Sequence, residues 1–129
     1  MSTPTETVQE FMAAFIAAWP QRDAAPLAAL FGEDAVYHNG PLEPVKGREA
    51  ILSTLAGMMA MGGTIGVHMI HMVADGEVVM TERIDYVFQT DKTMSLPVMG
   101  IFEIHDGVIT AWRDYFDPNQ FTSQMPDES

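Results

Sequence analysis

The chain has 129 residues, of which 47% are apolar, and this length and composition suit one globular domain spanning residues 1–129. Six basic residues against eighteen acidic ones give a net charge of −12, which argues against binding nucleic acids or anionic membranes. The absence of cysteine excludes disulfides and thiolate chemistry. Because the sequence shows neither a membrane-length apolar run nor a secretory signal, we expect a cytoplasmic protein.

The first segment predicts a helix with a strong start signal. Thr3 and Glu6 match a capping box, and Pro4 occupies the first helical position. Apolar residues then recur at helical spacing. The pattern predicts a helix over 4–19 that Pro20 ends.

Two further helices and a short strand are predicted in the next part of the chain. The segment AAPLAALF, residues 24–31, favours a helix capped by Asp23 and ended by Gly32. A third helix is predicted over 48–61. Between these two helices, residues 35–39 have the composition of a strand.

After Gly63 the pattern changes to long strands. Asp-Gly pairs at 75–76 and 106–107 are typical of hairpin turns, and residues 90–92 form a third polar turn. The predicted strands are 64–74, 77–89, 94–105 and 108–117. Helices followed by a strand meander predict the α+β class, with a sheet that curls around a pocket and helices that cover its concave face.

Three strand-like segments carry pairs of functional side chains. Side chains two residues apart on a strand share a face. The pairs are Tyr37 with Asn39, Arg83 with Asp85, and Trp112 with Asp114, the last continued by Phe116. If these faces converge, one pocket holds two carboxylates, a guanidinium, a phenol and an amide, and Trp112 and Phe116 line it beside Asp114.

Such a cluster suits acid–base chemistry. Two carboxylates and one arginine carry a net charge of −1 when fully ionised. A dry pocket therefore favours the uptake of one proton. That proton is shared by the coupled groups and does not belong to one residue. The cluster then contains one acid and one base side by side, as push–pull catalysis requires. The fork of donors on arginine can bind both carboxylates, and Tyr37 and Asn39 can hold a water.

Each pair also has a plainer interpretation when it is taken alone. Arg83 and Asp85 are typical of a surface ion pair, and Tyr37 is typical of a core or rim residue. Asn39, which precedes Gly40-Pro41, suits a turn. The coincidence of all three pairs is what indicates a functional site.

Other polar residues fit a site less well. His68 and His71 differ by three positions, so a regular strand turns them to opposite faces, and no metal site is predicted. Glu82 points away from Arg83 if the strand is regular. The sequence pattern does not determine where the Glu103 side chain lies.

The segments Tyr37-x-Asn39, Arg83-x-Asp85 and WRDYFD, residues 112–117, together resemble the limonene-1,2-epoxide hydrolase family. This family is a branch of the NTF2-like / SnoaL-like superfamily. The resemblance covers nearly the whole chain, and WRDYFD is its most specific part. It implies a cone-shaped α+β fold in which N-terminal helices pack on a curved mixed sheet around an internal pocket. It also implies a homodimer that needs no cofactor.

The resemblance implies one-step hydrolysis of a small cyclic, limonene-type epoxide to a vicinal diol. Asp114 would be the general base that takes a proton from a water held by Tyr37 and Asn39. Asp85 would be the general acid that protonates the epoxide oxygen as the ring opens. Arg83 would bridge the two aspartates. The expected partners are therefore an apolar epoxide and water.

Two other functions stay open at this stage. Asp114 and Tyr37 would also suit a ketosteroid-isomerase-like isomerase or cyclase, although Arg83 has no evident task in that mechanism. The chain could instead be a non-catalytic NTF2-like domain that binds an apolar ligand, since a fold alone does not fix function.

Overall fold

The computed structural model describes residues 2–125. In chain order its elements are α1 (Pro4–Gln21), α2 (Ala25–Ala28), β1 (Phe31–Asn39), β2 (Val45–Lys46), α3 (Arg48–Ala60), β3 (Thr64–Asp75), β4 (Val78–Gln89), β5 (Lys92–His105), β6 (Val108–Tyr115) and α4 (Pro118–Thr122). Within the described residues, none of the helices is long and apolar enough to cross a membrane.

The six strands form one mixed sheet in the order β2-β1-β6-β5-β4-β3. Strand β6 inserts between β1 and β5, and its pairing with β1 is parallel, whereas every other neighbouring pair is antiparallel. Helices α1 and α3 cover one face of this sheet, and the apolar core lies between them and the strands. The α+β prediction is therefore confirmed, including the helices over one face.

Helix α1 begins as the sequence predicts. The Thr3 hydroxyl accepts a hydrogen bond from the Glu6 backbone N–H, and the Glu6 carboxylate accepts one from the Thr3 N–H in return. One apolar face of the helix is buried against the sheet, and the Phe11 ring lies 5.0 Å from the ring of Trp112 on β6. This contact holds the helix against the face of the sheet that the helices cover, which is called the inner face below.

The prediction that Pro20 ends α1 was wrong. The helix continues to Gln21 and ends at Arg22, which adopts a left-handed conformation with φ 52°. The Arg22 N–H binds the carbonyls of Ala18 and Trp19, which closes the last turn. Proline deprives this turn of only one N–H donor, so its position one residue before the end is tolerated.

The second helix is shorter than predicted. It covers Ala25–Ala28, and β1 begins at Phe31 rather than at residue 35. Phe31 is fully buried and pairs with Ile109 of β6, so tertiary burial outweighs the helix propensity of this alanine-rich segment. The Asp23 carboxylate still accepts a hydrogen bond from the Ala25 N–H at 3.1 Å, although the residue before the helix is Ala24.

The predicted long strands are present with shifted ends. The turn between β5 and β6 is Asp106-Gly107, with positive φ at both residues, as a two-residue hairpin turn requires. Asp75 belongs to β3, so the preceding hairpin turns at Gly76-Glu77 instead of the Asp-Gly pair. Strand β5 begins at Lys92, two residues earlier than predicted.

Candidate active site

The five polar residues singled out from the sequence line one cavity of about 440 Å³. Tyr37 and Asn39 reach it from β1, Arg83 and Asp85 from β4, and Asp114 from β6. The three pairs therefore converge on the inner face of the sheet.

Strand register explains how residues so far apart in sequence meet. In the parallel pairing of β1 with β6, Asn39 lies opposite Asp114 and Tyr37 lies opposite Trp112. The Asn39 side chain is thereby level with Asp114, and the Tyr37 ring is level with Trp112 on the same face. Arg83 is two strands away from β6, so its long side chain must cross β5 to approach Asp114.

The Arg83 guanidinium makes that crossing and binds both carboxylates. Its Nε donates to Asp85 Oδ1 at 2.8 Å, and Nη2 donates to Asp85 Oδ2 at 3.2 Å. The same Nη2 donates to Asp114 Oδ2 at 2.5 Å. The Arg83 side chain is 1% exposed, so these bonds are shielded from bulk water. Such charge-assisted bonds fix the separation of the two aspartates.

Burial sets the protonation behaviour of this cluster. Burial raises the pKa of the Asp114 carboxyl, while the positive charge and the hydrogen bond of Arg83 oppose that rise. Burial alone would lower the pKa of Arg83, but the charges of Asp114 and Asp85 raise the pKa above its usual value. The guanidinium therefore stays charged, and uptake of a proton falls on the carboxylate pair.

Tyr37 stays a neutral hydrogen-bond donor. Burial raises the pKa of its phenol far above the usual value, and the negative charge of Asp114 raises it further. The ring stacks on Trp112 with centroids 4.4 Å apart and planes inclined by 17°. A protonated phenol held in this way can orient a small polar molecule beside Asp114.

Trp112 does more than line the cavity. Its indole Nε1–H donates to Asp114 Oδ1 at 2.8 Å. The ring lies between Tyr37 and Phe102, the second at a centroid distance of 5.4 Å. The sequence interpretation treated Trp112 as a pocket wall only. Its position two residues before Asp114 was the available signal, because that spacing puts the indole on the face of the carboxylate.

Thr81 is a contact of the cluster that sequence reasoning missed. Its hydroxyl accepts a hydrogen bond from Arg83 Nη1 at 3.1 Å and lies 3.4 Å from the carbonyl of Gly100, to which it donates. Thr81 precedes Arg83 by two residues and therefore shares its face of β4. Threonine is common on strands, so its side chain alone gave no signal.

Phe116 lies just beyond the end of β6 and lines the cavity as expected. Its ring packs against Gly40, where φ is +57° and a β carbon would lie 2.5 Å from Phe116 Cε1. Glycine is therefore required at this turn for both conformation and space. Much of the remaining wall is apolar and includes the methionines Met58, Met61, Met94 and Met125.

The rival charged residues lie away from the cavity. The Arg113 guanidinium donates to Glu103 at 2.6 Å, and Glu82 contacts His71 at 2.8 Å. Glu82 points away from Arg83, as the alternation of the strand predicts. Asp117 accepts a hydrogen bond from the Asn119 N–H and caps the start of α4, so the second aspartate of WRDYFD has a structural role.

The prediction that His68 and His71 face opposite sides was wrong. A bulge between Met69 and His71 adds one residue to β3, so His68 pairs with Ile84 and His71 pairs with Glu82. Both histidines therefore face the same side. Among residues 2–125, however, no three histidine or acidic side chains are grouped as metal ligands.

Comparison with known proteins gives matches over most of the chain. A model of the limonene-1,2-epoxide hydrolase catalytic domain matches residues 2–127. "Epoxide hydrolase EphG" of Mycobacterium tuberculosis (strain ATCC 25618 / H37Rv) is 36% identical over 105 residues, which cover 81% of this chain and 69% of that protein.

Solved structures show the same relationship. A structure of an M. tuberculosis LEH-like epoxide hydrolase has a TM-score of 0.74 at 32% identity, and the alignment covers 93% of this chain and 89% of that chain. An NTF2-like protein of unknown function from Cytophaga hutchinsonii ATCC 33406 has a TM-score of 0.70 at 19% identity, with 92% and 94% covered, and shows the fold alone. The chain thus has an NTF2-like fold, belongs to the limonene-1,2-epoxide hydrolase family and is an epoxide hydrolase of that family.

Proposed function

We propose that this protein opens a small cyclic, limonene-type epoxide to a vicinal diol in one step, using an activated water and no cofactor. The observation that carries the proposal is the Arg83 bridge between Asp85 and Asp114 at the wall of a largely apolar cavity. This arrangement offers a base and an acid at a fixed separation, which push–pull opening of an epoxide needs.

Asp114 is the general base in this proposal: burial raises its pKa, which makes it a stronger base, and in the reactive state the proton shared by the two carboxylates lies on Asp85. Asp114 lies opposite Asn39 in the parallel strand pair. Tyr37 lies two residues before Asn39, on the same face. A water bound by the amide and the phenol would therefore lie beside the Asp114 carboxylate. As the water oxygen bonds to a ring carbon, one water proton passes to Asp114.

Asp85 is the general acid. It is the more open of the two aspartates, with 29% of its side chain exposed, and it lies on the far side of Arg83 from Asp114. As the carbon–oxygen bond of the ring breaks, the Asp85 proton passes to the departing oxygen, which becomes the second hydroxyl of the diol. The alkoxide is a poor leaving group, so this proton lowers the barrier substantially.

The charge of the cluster does not change during these transfers. Asp85 gives one proton to the epoxide oxygen while Asp114 takes one from water, so the cluster is neutral before and after the step. A buried site therefore meets no net charging penalty in the reaction. Return of the proton from Asp114 to Asp85, through solvent after product release, would restore the starting state.

The cavity suits a small apolar substrate. Its volume of about 440 Å³ lies within the range of small-molecule sites. Apolar side chains surround the cluster, including Ile65, Val67, Leu96 and Val98. A compact hydrocarbon ring would bury its surface on this wall and leave its epoxide at the aspartates.

We further propose that the protein forms a homodimer through the outer face of the sheet, which is the face opposite the helices. Met80, Met99 and Tyr115 are exposed there on three neighbouring strands. Contiguous exposed apolar surface marks an interaction site. We expect light scattering to give twice the monomer mass for the wild type and the monomer mass for Met99→Lys; a monomeric wild type contradicts the proposal.

The enzymatic proposal is tested by a diol assay over a panel of cyclic and linear epoxides. We expect limonene-type and other small cyclic epoxides to give diols, and a single turnover with excess enzyme in ¹⁸O-water to label the diol at once. Unlabelled diol in the first turnover would indicate a covalent enzyme ester instead. Absence of diol from every epoxide in the panel would remove the substrate proposal.

A further inference from the structure

We infer that Gly100 is a positioning residue of this reaction, because the missing side chain at this point of β5 is the passage through which the Arg83 guanidinium reaches Asp114. Arg83 lies on β4 and Asp114 on β6, so β5 separates the strands that carry them. The inference rests on the proposed function for its catalytic consequence. The steric part stands on the geometry alone.

The register places Gly100 in the middle of the crossing. It lies opposite Thr81 on β4 and opposite Asp114 on β6. Directly opposed residues of neighbouring strands project to the same face. A side chain at position 100 would therefore rise into the space that the guanidinium occupies.

The distances show that even one added carbon does not fit. A β carbon at Gly100 would lie 2.6 Å from Asp114 Oδ1 and 2.9 Å from Thr81 Oγ1, and it would overlap Arg83 Nη1 most severely. All three atoms belong to groups that hydrogen bonds hold in place. An added methyl group must therefore displace part of this network, and Arg83 meets it first.

The backbone conformation at position 100 does not require a glycine. Six glycines have positive φ among the described residues, and Gly100 is not one of them. Alanine can adopt the backbone conformation at position 100, so only the space above β5 is lacking. Glycine in a strand interior weakens the strand, and it is typical of places where another group approaches the backbone closely.

Gly100→Ala is the direct test, with Gly32→Ala as its control. Gly32 is also a strand glycine, and a β carbon there meets its nearest atom, Val108 Cγ2, at an ordinary 3.6 Å. We expect Gly100→Ala to lower kcat by about 10²-fold, since displacement of a catalytic group by about 1 Å has that effect. KM should change little, because the apolar wall is untouched. Gly32→Ala should keep the wild-type kcat and KM.

The pH profile separates positioning from general damage. The charged and titratable groups facing Asp114 are Arg83 and Asp85 from β4 and Tyr37 from β1. If Arg83 moves away, Asp114 loses its main cationic partner and becomes easier to protonate. The acid limb of kcat/KM should therefore shift to higher pH in Gly100→Ala. A variant with the wild-type kcat and the wild-type profile overturns the inference.

A thermal double-mutant cycle with Arg83→Ala tests the steric claim without any activity. Gly100→Ala should lower Tm in the wild-type background and much less in the Arg83→Ala background, where the guanidinium is gone. If Gly100→Ala does not fold alone, the double variant should be about as stable as Arg83→Ala. Equal losses of Tm in both backgrounds, or a double variant that fails to fold where Arg83→Ala folds, overturn the inference. If wild type and Gly32→Ala hydrolyse no epoxide, the proposed function fails while this cycle still decides the steric role.

Discussion

The two faces of the sheet carry the same chemical pair in two environments. On the inner face the Arg83–Asp114 pair has a nitrogen–oxygen distance of 2.5 Å, and on the outer face the Arg113–Glu103 pair has one of 2.6 Å. The side chains of the inner pair are 1% and 6% exposed, whereas those of the outer pair are 31% and 45% exposed. Arg113 and Asp114 are adjacent in sequence, so one step along β6 changes the environment completely.

The difference shows that exposure to solvent, rather than the chemical identity of the pair, decides whether such an ion pair can take part in acid–base chemistry. On the outer face the hydrogen bond with Glu103 raises the pKa of Arg113, and solvent and salt screen the attraction. On the inner face burial raises the pKa of Asp114 and keeps a proton within reach of the cluster. The same ion pair is a surface contact in one place and a candidate acid–base device in the other.

Removal of one carboxylate charge on each face should give the largest contrast. Asp114→Asn should lower kcat for epoxide opening by about 10²–10⁴-fold, because the general base is lost. Glu103→Gln should keep kcat within about twofold, because its exposed pair lies away from the cavity. Steady-state kinetics on both variants, with circular dichroism to confirm folding, checks this. Substantial turnover by a folded Asp114→Asn variant would remove Asp114 as the base.

Replacement of each arginine by methionine should separate the two faces in stability. Arg83→Met should lower the free energy of unfolding by about 3 kcal/mol, since it leaves the buried Asp114 carboxylate without its cation. Arg113→Met should cost below about 1 kcal/mol, as is usual for exposed pairs. Urea denaturation at neutral pH measures both values. Equal costs would mean that burial does not distinguish the two pairs energetically.

Trp112→Phe should show whether the indole acts on the Asp114 carboxylate or only on the pocket wall. The phenyl ring keeps the stack between Tyr37 and Phe102 but removes the N–H that donates to Asp114. A hydrogen bond to a charged group is worth enough that kcat should fall about tenfold. Comparison of kcat with KM is the measurement. A change confined to KM would show that the indole serves the pocket wall and not the carboxylate.

The pH dependence of stability should give the smallest effect. The folded-state pKa of Asp114 is raised, so the folded protein binds more protons than the unfolded chain between the ordinary aspartate pKa and the raised one. The stability contributed by Asp114 is therefore lost as pH rises through that window. The Tm of Asp114→Asn relative to wild type should move in favour of the variant as pH rises. A difference that moves the other way would mean that Arg83 outweighs burial.

Strand alternation allowed the site to be predicted from the sequence, because it depends only on local geometry. It placed Tyr37 with Asn39 and Arg83 with Asp85, and it separated Asp114 from Asp117. It failed for His68 and His71, because one bulged residue reverses the alternation and nothing in the residue types announces the bulge.

The remaining features depend on contacts between different strands. Register decides that Thr81 lies opposite Gly100 and that Glu103 comes close to Arg113, and register cannot be read from one strand. Phe31 seemed helical because its neighbours are alanine and leucine, but its burial against β6 makes it part of a strand. The convergence of the three pairs also required the inserted position of β6, which the order of elements in the chain does not reveal.

Because β1 pairs with β6, the sheet can be completed only after the last strand has been synthesised. A ribosome synthesises β1 first among the strands and β6 last, so about seventy residues emerge before β1 meets its partner. Until then β1 and β5 each lack their β6 neighbour, and unpaired strand edges of this kind invite aggregation. A nascent chain stopped before Val108 would carry the arginine and the acid but no base. Closure of the sheet and completion of the site are thus a single late, long-range event, which predicts slow folding relative to proteins with local contacts.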